Sequence, residues 1–343
     1  MRTPESVVAS APAKVILLGG KAVNYGHPAL VTSVGLRTTC TLKRAGGEGY
    51  RFTSGDRSEE GDRASLAAFK RRVDGLRQAK NHDEISALAR SDFFAPVRYV
   101  LSHLVERTEL LGIDIAWTSG IPVGSGLGSG AAAAASLVVA NLRAAGQSLT
   151  PKEMAWLAWQ GDVIAHGGLG TGLDSGGSTL GGVVRYSLGD GPSPVKAAVV
   201  PTLVIGDTLL RASTAASNIA SRNWLAEHPM RMHLMEEIAM LVRQAEAALV
   251  AGDLPLLGHL MNLNHLVKEK LGMSVPKTEQ LVEAALGAGA LGAKISGKGN
   301  GGIIVAVAED AKRPGVAAAI EAAGGRAIVP DVAVEGARIE DNR

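Results

Sequence analysis

Glycine is the feature that most limits what this chain can fold into. Of 343 residues, 43 are glycine, and they gather at 124–130, 167–182 and 297–302 rather than recurring at a fixed period. Each cluster abuts a run of strand or helix character, which sets it apart from a flexible linker. Glycine takes positive φ freely and lets backbone approach a partner that a Cβ would hold away. Three such loops, set among regular elements, expose main-chain N–H groups at chosen places.

The runs between the loops alternate in type. Val7–Leu18, Ala29–Val34, Leu36–Leu42, Tyr50–Thr53 and Ile113–Trp117 read as strands, with Pro12 marking an edge or a bulge in the first. Residues 56–92 are charge-rich, with Leu66, Phe69, Val73 and Leu76 at helical spacing. Ala95–Leu111 and the alanine-rich Gly128–Ala145 read as helices, and Thr150-Pro151 opens another with a cap and a first-turn proline. Residues 167–182 read as a loop, followed by a strand at Gly182–Leu188. Past Gly191-Pro-Ser-Pro194, a strand at Ala197–Ile205 precedes helices at Ser213–Ala226, Met230–Ala251, Leu254–Leu271 and Pro276–Ala288. Strands at Gly292–Ser296, Gly302–Ala308 and Gly325–Val329 and a helix at Arg313–Ala323 complete the pattern. The order predicts an α+β protein of two domains, 1–190 and 191–343.

Composition narrows the function. The formal net charge of +2 offers no broad electrostatic case for nucleic acid or an anionic membrane. No run approaches the ~20 apolar residues of a membrane span, and the first ten residues lack a signal-peptide pattern. The single cysteine, Cys40, excludes an intrachain disulfide, and a cytoplasmic location is expected.

The sharpest local signal is Ile121-Pro-Val-Gly-Ser-Gly-Leu-Gly-Ser-Gly-Ala131, between a strand and a long helix. Backbone N–H groups and the helix N-terminus make such a loop a nest for phosphate oxygens. A P-loop would need Gly-Lys-Ser/Thr, and the dinucleotide fingerprint is met only imperfectly. Asp162, at a helix end, and Asp174, in the second glycine cluster, suit a kinase: one carboxylate for Mg²⁺, the other for the proton of an attacking hydroxyl. By spacing alone, a solvated helix-end carboxylate and an Asx turn serve equally well. The run Lys294-Ile-Ser-Gly-Lys-Gly-Asn-Gly-Gly302 is either a generous hairpin loop or a third loop closing on a nucleotide. No zinc-ligand spacing is present, since His228 and His233 stand five apart and His259 and His265 six, and the nucleophile elbow of a serine hydrolase is missing.

Three glycine motifs in this order resemble the GHMP kinases, which include galactokinase, homoserine kinase, mevalonate kinase and phosphomevalonate kinase. The mevalonate kinase branch is the most similar. Ala11-Pro-Ala-Lys-Val-Ile-Leu-Leu-Gly19 with Ala22–Ala29, the loop Pro122–Ala131, His166-Gly through Asp174 to Gly182, and Lys294–Gly302 carry the likeness. Ser213-Thr214, Met261–His265 and Leu271–Ser274 match weaker features. The resemblance implies a first domain like the second domain of ribosomal protein S5 and a ferredoxin-like second domain, with ATP and the acceptor between them. It implies Asp174 as the catalytic carboxylate with Lys14 beside it. ATP would be held by Gly124, Ser125, Gly126, Leu127, Gly128, Ser129, Gly130, Ala131 and Lys298, and Mg²⁺ by Ser129 and Asp162. Lys21, Thr179 and Gly297 would serve the acceptor, a small alcohol such as mevalonate phosphorylated at its C5 hydroxyl. Relatives suggest a homodimer.

The chain departs from the family pattern at several places. Gly19-Gly20-Lys21 stands where Gly-Glu-His is common, Gly130 where a second serine is common, and Thr171 where the catalytic loop carries serine. Lys298 and Asn300 replace small residues. Lys21 is either a solvated loop charge or a contact for an anionic acceptor, and the latter admits a phosphorylated acceptor such as phosphomevalonate. Loss of the usual glutamate and second serine also admits a nucleotide-binding sensor whose catalysis has decayed.

Overall fold

The computed structural model describes residues 4–122, 124–210, 227–297 and 299–340. Its strands are β1 (Ser6–Leu18), β2 (Ala29–Arg44), β3 (Gly49–Ser54), β4 (Arg57–Asp62), β5 (Ile113–Ser119), β6 (Val183–Ser187), β7 (Gly191–Pro194), β8 (Leu203–Asp207), β9 (Gly292–Ser296), β10 (Ile303–Val307), β11 (Arg326–Ile328) and β12 (Arg338–Ile339). The α-helices are α1 (Arg63–Gln78), α2 (His82–Ser91), α3 (Ala95–Thr108), α4 (Ser129–Ala144), α5 (Pro151–Ala165), α6 (Leu173–Leu180), α7 (His233–Ala251), α8 (Leu254–Lys270), α9 (Pro276–Gly287) and α10 (Arg313–Ala322).

Two sheets organise the chain. The larger runs β12-β1-β2-β5-β3-β4, with β6 joined to β2 and β7 to β6. The two strands expected at 29–42 are one bent strand: β2 pairs with β6 through Ala29–Thr32 and with β5 through Thr38–Arg44. Pro12 marks a bulge, with the β1–β2 register shifting between Pro12 and Ala13. The smaller sheet is antiparallel, in the order β11-β8-β10-β9. β7 lies past residue 190 yet pairs with β6, and β12 pairs with β1, so the chain re-enters the first sheet at its end.

The alanine run does what its small side chains allow. α4 lies against β1 and β2, with Ala131, Ala132, Ala134 and Ala135 buried at 3 % exposure or less. α3 and α5 cover α4 from outside. One hydrophobic core runs from Leu17 through Leu137 to Leu241 and Ile303, joining both sheets. Polar bonds reinforce that junction: Ser296 Oγ accepts from the Ile16 N–H at 2.9 Å and donates to Ile16 O at 3.2 Å. Because β9 leads into the third glycine loop, this junction sets that loop beside the first.

The second glycine cluster differs from its expected form. Residues 173–180 are helical, so Asp174 sits in a first helical turn rather than an Asx loop. Gly176 and Gly177 are tolerated in this helix because of close approach: a Cβ on Gly177 would lie 3.0 Å from Val31, and one on Gly176 2.9 Å from Pro192. The expected strand at 197–205 forms only from Leu203 and runs to Asp207. The expected helix Ser213–Ala226, with Ser213 and Thr214, lies outside the described residues.

Candidate active site

Three elements converge on one cleft. β1 brings Lys14, the turn into α4 brings the first glycine loop, and the first turn of α6 brings Asp174. The Lys14 main-chain N–H donates to Leu127 O at 2.9 Å. Its ammonium donates to Gly126 O at 2.9 Å and pairs with Asp174 Oδ1 at 3.0 Å. The lysine side chain is 3 % exposed and the aspartate 19 %. Gly128, the residue before α4, has φ +81°, and a Cβ there would strike Lys14 Cε at 2.8 Å. Glycine at 128 therefore makes room for the Lys14 side chain as well as for the turn.

Asp174 sits where an ionised carboxylate is favoured, at the N-terminus of α6, with His166 Nε2 3.9 Å from its Oδ2. Asp162 projects from the last turns of α5 and accepts the Ser175 N–H at 3.1 Å. It is 3 % exposed, which removes the reading of a solvated helix end. Burial pushes its carboxyl up to about 6, with Asp174 adding to the rise and the His166 imidazole and the Ser175 N–H opposing it. Ser129 opens α4 on the far wall of the same cavity, which Gly124, Gly126, Gly130 and Ala131 also line.

The expected ATP contacts divide. Gly124, Gly126, Gly128, Ser129, Gly130 and Ala131 face the cavity that Asp162 and Asp174 share. Ser125 and Leu127 turn inward. The Ser125 hydroxyl donates to Pro122 O at 2.7 Å and accepts from the Leu127 N–H at 3.4 Å, and both residues are fully buried. Lys298 lies outside the described residues. On the acceptor side, Lys21 and Gly297 line the cleft with Lys14, His166, Asp174 and Met273. Lys21 is 8 % exposed, so it is no solvated loop charge; burial lowers its ammonium to about 8, which leaves it mostly charged at neutral pH. Thr179 is buried on α6 and does not line the cleft.

Of three further contributors, Met273 and Lys294 lie in motifs that suggested no role for them, and Lys268 lies outside every motif. Met273 reaches the cleft from the turn after α8, and the Asn300 N–H donates to its carbonyl at 2.9 Å. Behind Gly297, Lys268 of α8 and Lys294 of β9 are both completely buried. Lys268 Nζ donates to Gly297 O at 3.1 Å and Ile295 O at 3.2 Å, and Lys294 Nζ to Ile16 O at 3.4 Å and Ile295 O at 2.5 Å. Both amines donate to the same carbonyl, that of Ile295. Burial brings Lys268 down to about 8 and, with Lys268 as a like-charged neighbour, Lys294 further still. In sequence Lys268 reads as an ordinary cation near a helix end.

The absent zinc spacing has a spatial counterpart. His265, Glu269 and Glu279 place ligand atoms within 4.8 Å of one another. His265 Nε2 already meets Glu279 at 3.1 Å, and Glu279 accepts the Ser274 hydroxyl. The group does not line the cleft.

Residues 95–182 match the GHMP kinases N terminal domain and residues 245–326 the GHMP kinases C terminal region. The chain belongs to the GHMP kinase family. Within it, the full-length relatives are mevalonate kinases: that of Thermococcus sibiricus is 35% identical and that of Pyrococcus horikoshii 34%, each over 98% of both chains. The fold is likewise similar to that of L. major mevalonate kinase solved with R-mevalonate, at 25% identity and a TM-score of 0.72, covering 96% of this chain and 97% of that one.

Proposed function

We propose that this chain transfers the γ-phosphoryl group of ATP to the C5 hydroxyl of mevalonate. The observation that carries the reading is the Lys14–Asp174 ion pair at 3.0 Å, set against a glycine cradle at a helix N-terminus, in a chain whose full-length relatives are mevalonate kinases.

The chemistry follows from the placement. Main-chain N–H groups between Gly126 and Ala131, with the N-terminus of α4, neutralise the phosphate tail. The acceptor hydroxyl approaches Asp174, which orients it and takes its proton as the oxygen attacks the γ-phosphorus. The bond to the β,γ-bridging oxygen breaks and ADP leaves. Lys14 keeps Asp174 ionised and stabilises negative charge on the attacking oxygen. Positioning and charge neutralisation supply most of the rate enhancement in phosphoryl transfer.

Ser129 and Asp162 fit Mg²⁺. A hydroxyl and a carboxylate face one polar cavity, and Mg²⁺ commonly takes one or two protein oxygens and keeps several waters. When bound, it would spread the charge of the β- and γ-phosphates.

The test is ADP release by purified protein with mevalonate, phosphomevalonate, galactose and homoserine, with and without Mg²⁺. Mevalonate-dependent release supports the reading. Release with phosphomevalonate alone moves the acceptor, and ATP binding with no acceptor-dependent release identifies a nucleotide sensor.

A further inference from the structure

Beyond Lys21 the cleft opens into a second cavity. One wall is the turn Lys21–Tyr25, the floor is Leu169–Thr171, and the opposite wall is the junction of α1 and α2. Lys21, Asn24, Leu169 and Thr171 line both cavities, so the space that begins at Asp174 continues into this one. The described lining carries Lys21, Arg77, Lys80 and His82 and no carboxylate. A concave surface of one sign focuses its field and concentrates ions of the other.

Two features show that this wall is held in place. Arg77 Nη1 donates to Tyr99 Oη at 2.8 Å and Gln160 Oε1 at 3.2 Å, and its guanidinium lies 5.6 Å from the Trp159 ring. A planar fork so pinned loses little freedom on gripping an anion. His82 Nδ1 lies 3.0 Å from Gly167 O, which ties the start of α2 to the loop that precedes Asp174. Between them Lys80 has φ +52°, a conformation lysine seldom adopts.

We propose that the α1–α2 hairpin is an acceptor-recognition element, with Arg77 and Lys80 forming, beside Lys21, a subsite for an anionic group on the acceptor's end remote from the reacting hydroxyl. The inference rests on the small-alcohol kinase reading and gives the charge-rich 56–92 region a role. Carboxylate and phosphate share the chemistry that such a subsite takes.

The test compares two acceptors with the same primary alcohol: mevalonate, and 3-methylpentane-1,3,5-triol, in which an uncharged CH₂OH replaces the carboxylate. Arg77→Met and Lys80→Met should each raise KM for mevalonate about tenfold with kcat kept, as expected for one charged hydrogen bond, and leave triol kinetics unmoved. Lys80→Glu should weaken mevalonate further. Lys80 is exposed, so its variants report even if Arg77→Met fails to fold. An unchanged mevalonate-to-triol preference in the Lys80 variants, or equal loss on both acceptors, overturns the proposal. A wild-type protein that releases ADP with neither of these acceptors, nor with phosphomevalonate, galactose or homoserine, refutes the kinase reading itself. The monophosphate of the same triol, which keeps one primary alcohol and carries a phosphate at the other end, distinguishes a phosphate from a carboxylate occupant.

Discussion

Lys14 and Lys294 stand on strands that meet where the two sheets join, and both are buried, yet their surroundings are opposite. Lys14 has a carboxylate at 3.0 Å. Lys294 has two carbonyls and a second lysine. The first arrangement holds a paired charge in the cleft. The second disfavours charge, because fully buried ammonium groups whose partners are carbonyls and each other lose their water without gaining an opposite charge. The lesson is that the cleft is built from opposite charges and the seam behind it from like ones. The two regions should therefore answer differently to mutation and to pH.

The largest expected effect is on the cleft. Asp174→Asn should lower kcat by about 10³-fold, within the usual range for removing a general base, with ATP affinity kept within a few-fold. Steady-state ADP release and calorimetric ATP titration measure the two halves. Undiminished turnover would remove Asp174 from the centre of the mechanism.

Lys14→Met strands the partly buried Asp174 carboxylate. It should cost about 3 kcal/mol of stability, as breaking such a pair does, together with most of the activity. Lys294→Met removes a donor to the Ile16 and Ile295 carbonyls and should cost only about 1–2 kcal/mol, the penalty of leaving carbonyls unpaired. Urea unfolding of the two variants compares them directly, and equal losses would erase the distinction.

The cleft should titrate on the acid side. With the Asp162 carboxyl near 6, a divalent ion competes with a proton below that pH, so the Mg²⁺ half-saturation concentration should rise up to tenfold per pH unit there. Asp162→Asn should flatten that profile. A profile unchanged in the variant would place the ion elsewhere.

The seam should titrate on the alkaline side, with the smaller effect. Burial holds Lys268 near 8, below its unfolded value of about 10.4. The unfolded chain then binds more protons between those values, so folding stability should rise with pH across that window, by less than about 1.4 kcal/mol per unit for this one group. Lys268→Met should lessen the slope measured by urea unfolding from pH 8 to 10. An identical slope would mean that Lys268 does not titrate in that window.

Much of this architecture could be read from residue order. The run Val7–Leu18, the alanine helix and the Thr150-Pro151 start declare themselves by periodicity and capping, and Thr150 caps its helix as expected, with Glu153 bonding back to it. β4, β7 and β12 were not legible: β4 is a polar hairpin arm, and β7 and β12 are short segments paired at sheet margins. The α6 segment reads as loop because glycine is a poor helix former, and the close packing against Val31 and Pro192 that permits it there comes from distant parts of the chain.

What the linear order of residues determined was local: glycine-rich backbone before a helix, a carboxylate seven residues past a His-Gly pair, a lysine within a strand. Those features depend on neighbours a few residues apart, and periodicity records them. Only the folded molecule decided which charges lose their water and which partners they gain. Lys14 meets Asp174 across 160 residues of chain, Lys268 settles beneath Gly297, and Arg77 comes to line the cavity beyond Lys21. Desolvation and pairing depend on distance in space, which the order of residues along a strand or helix does not carry.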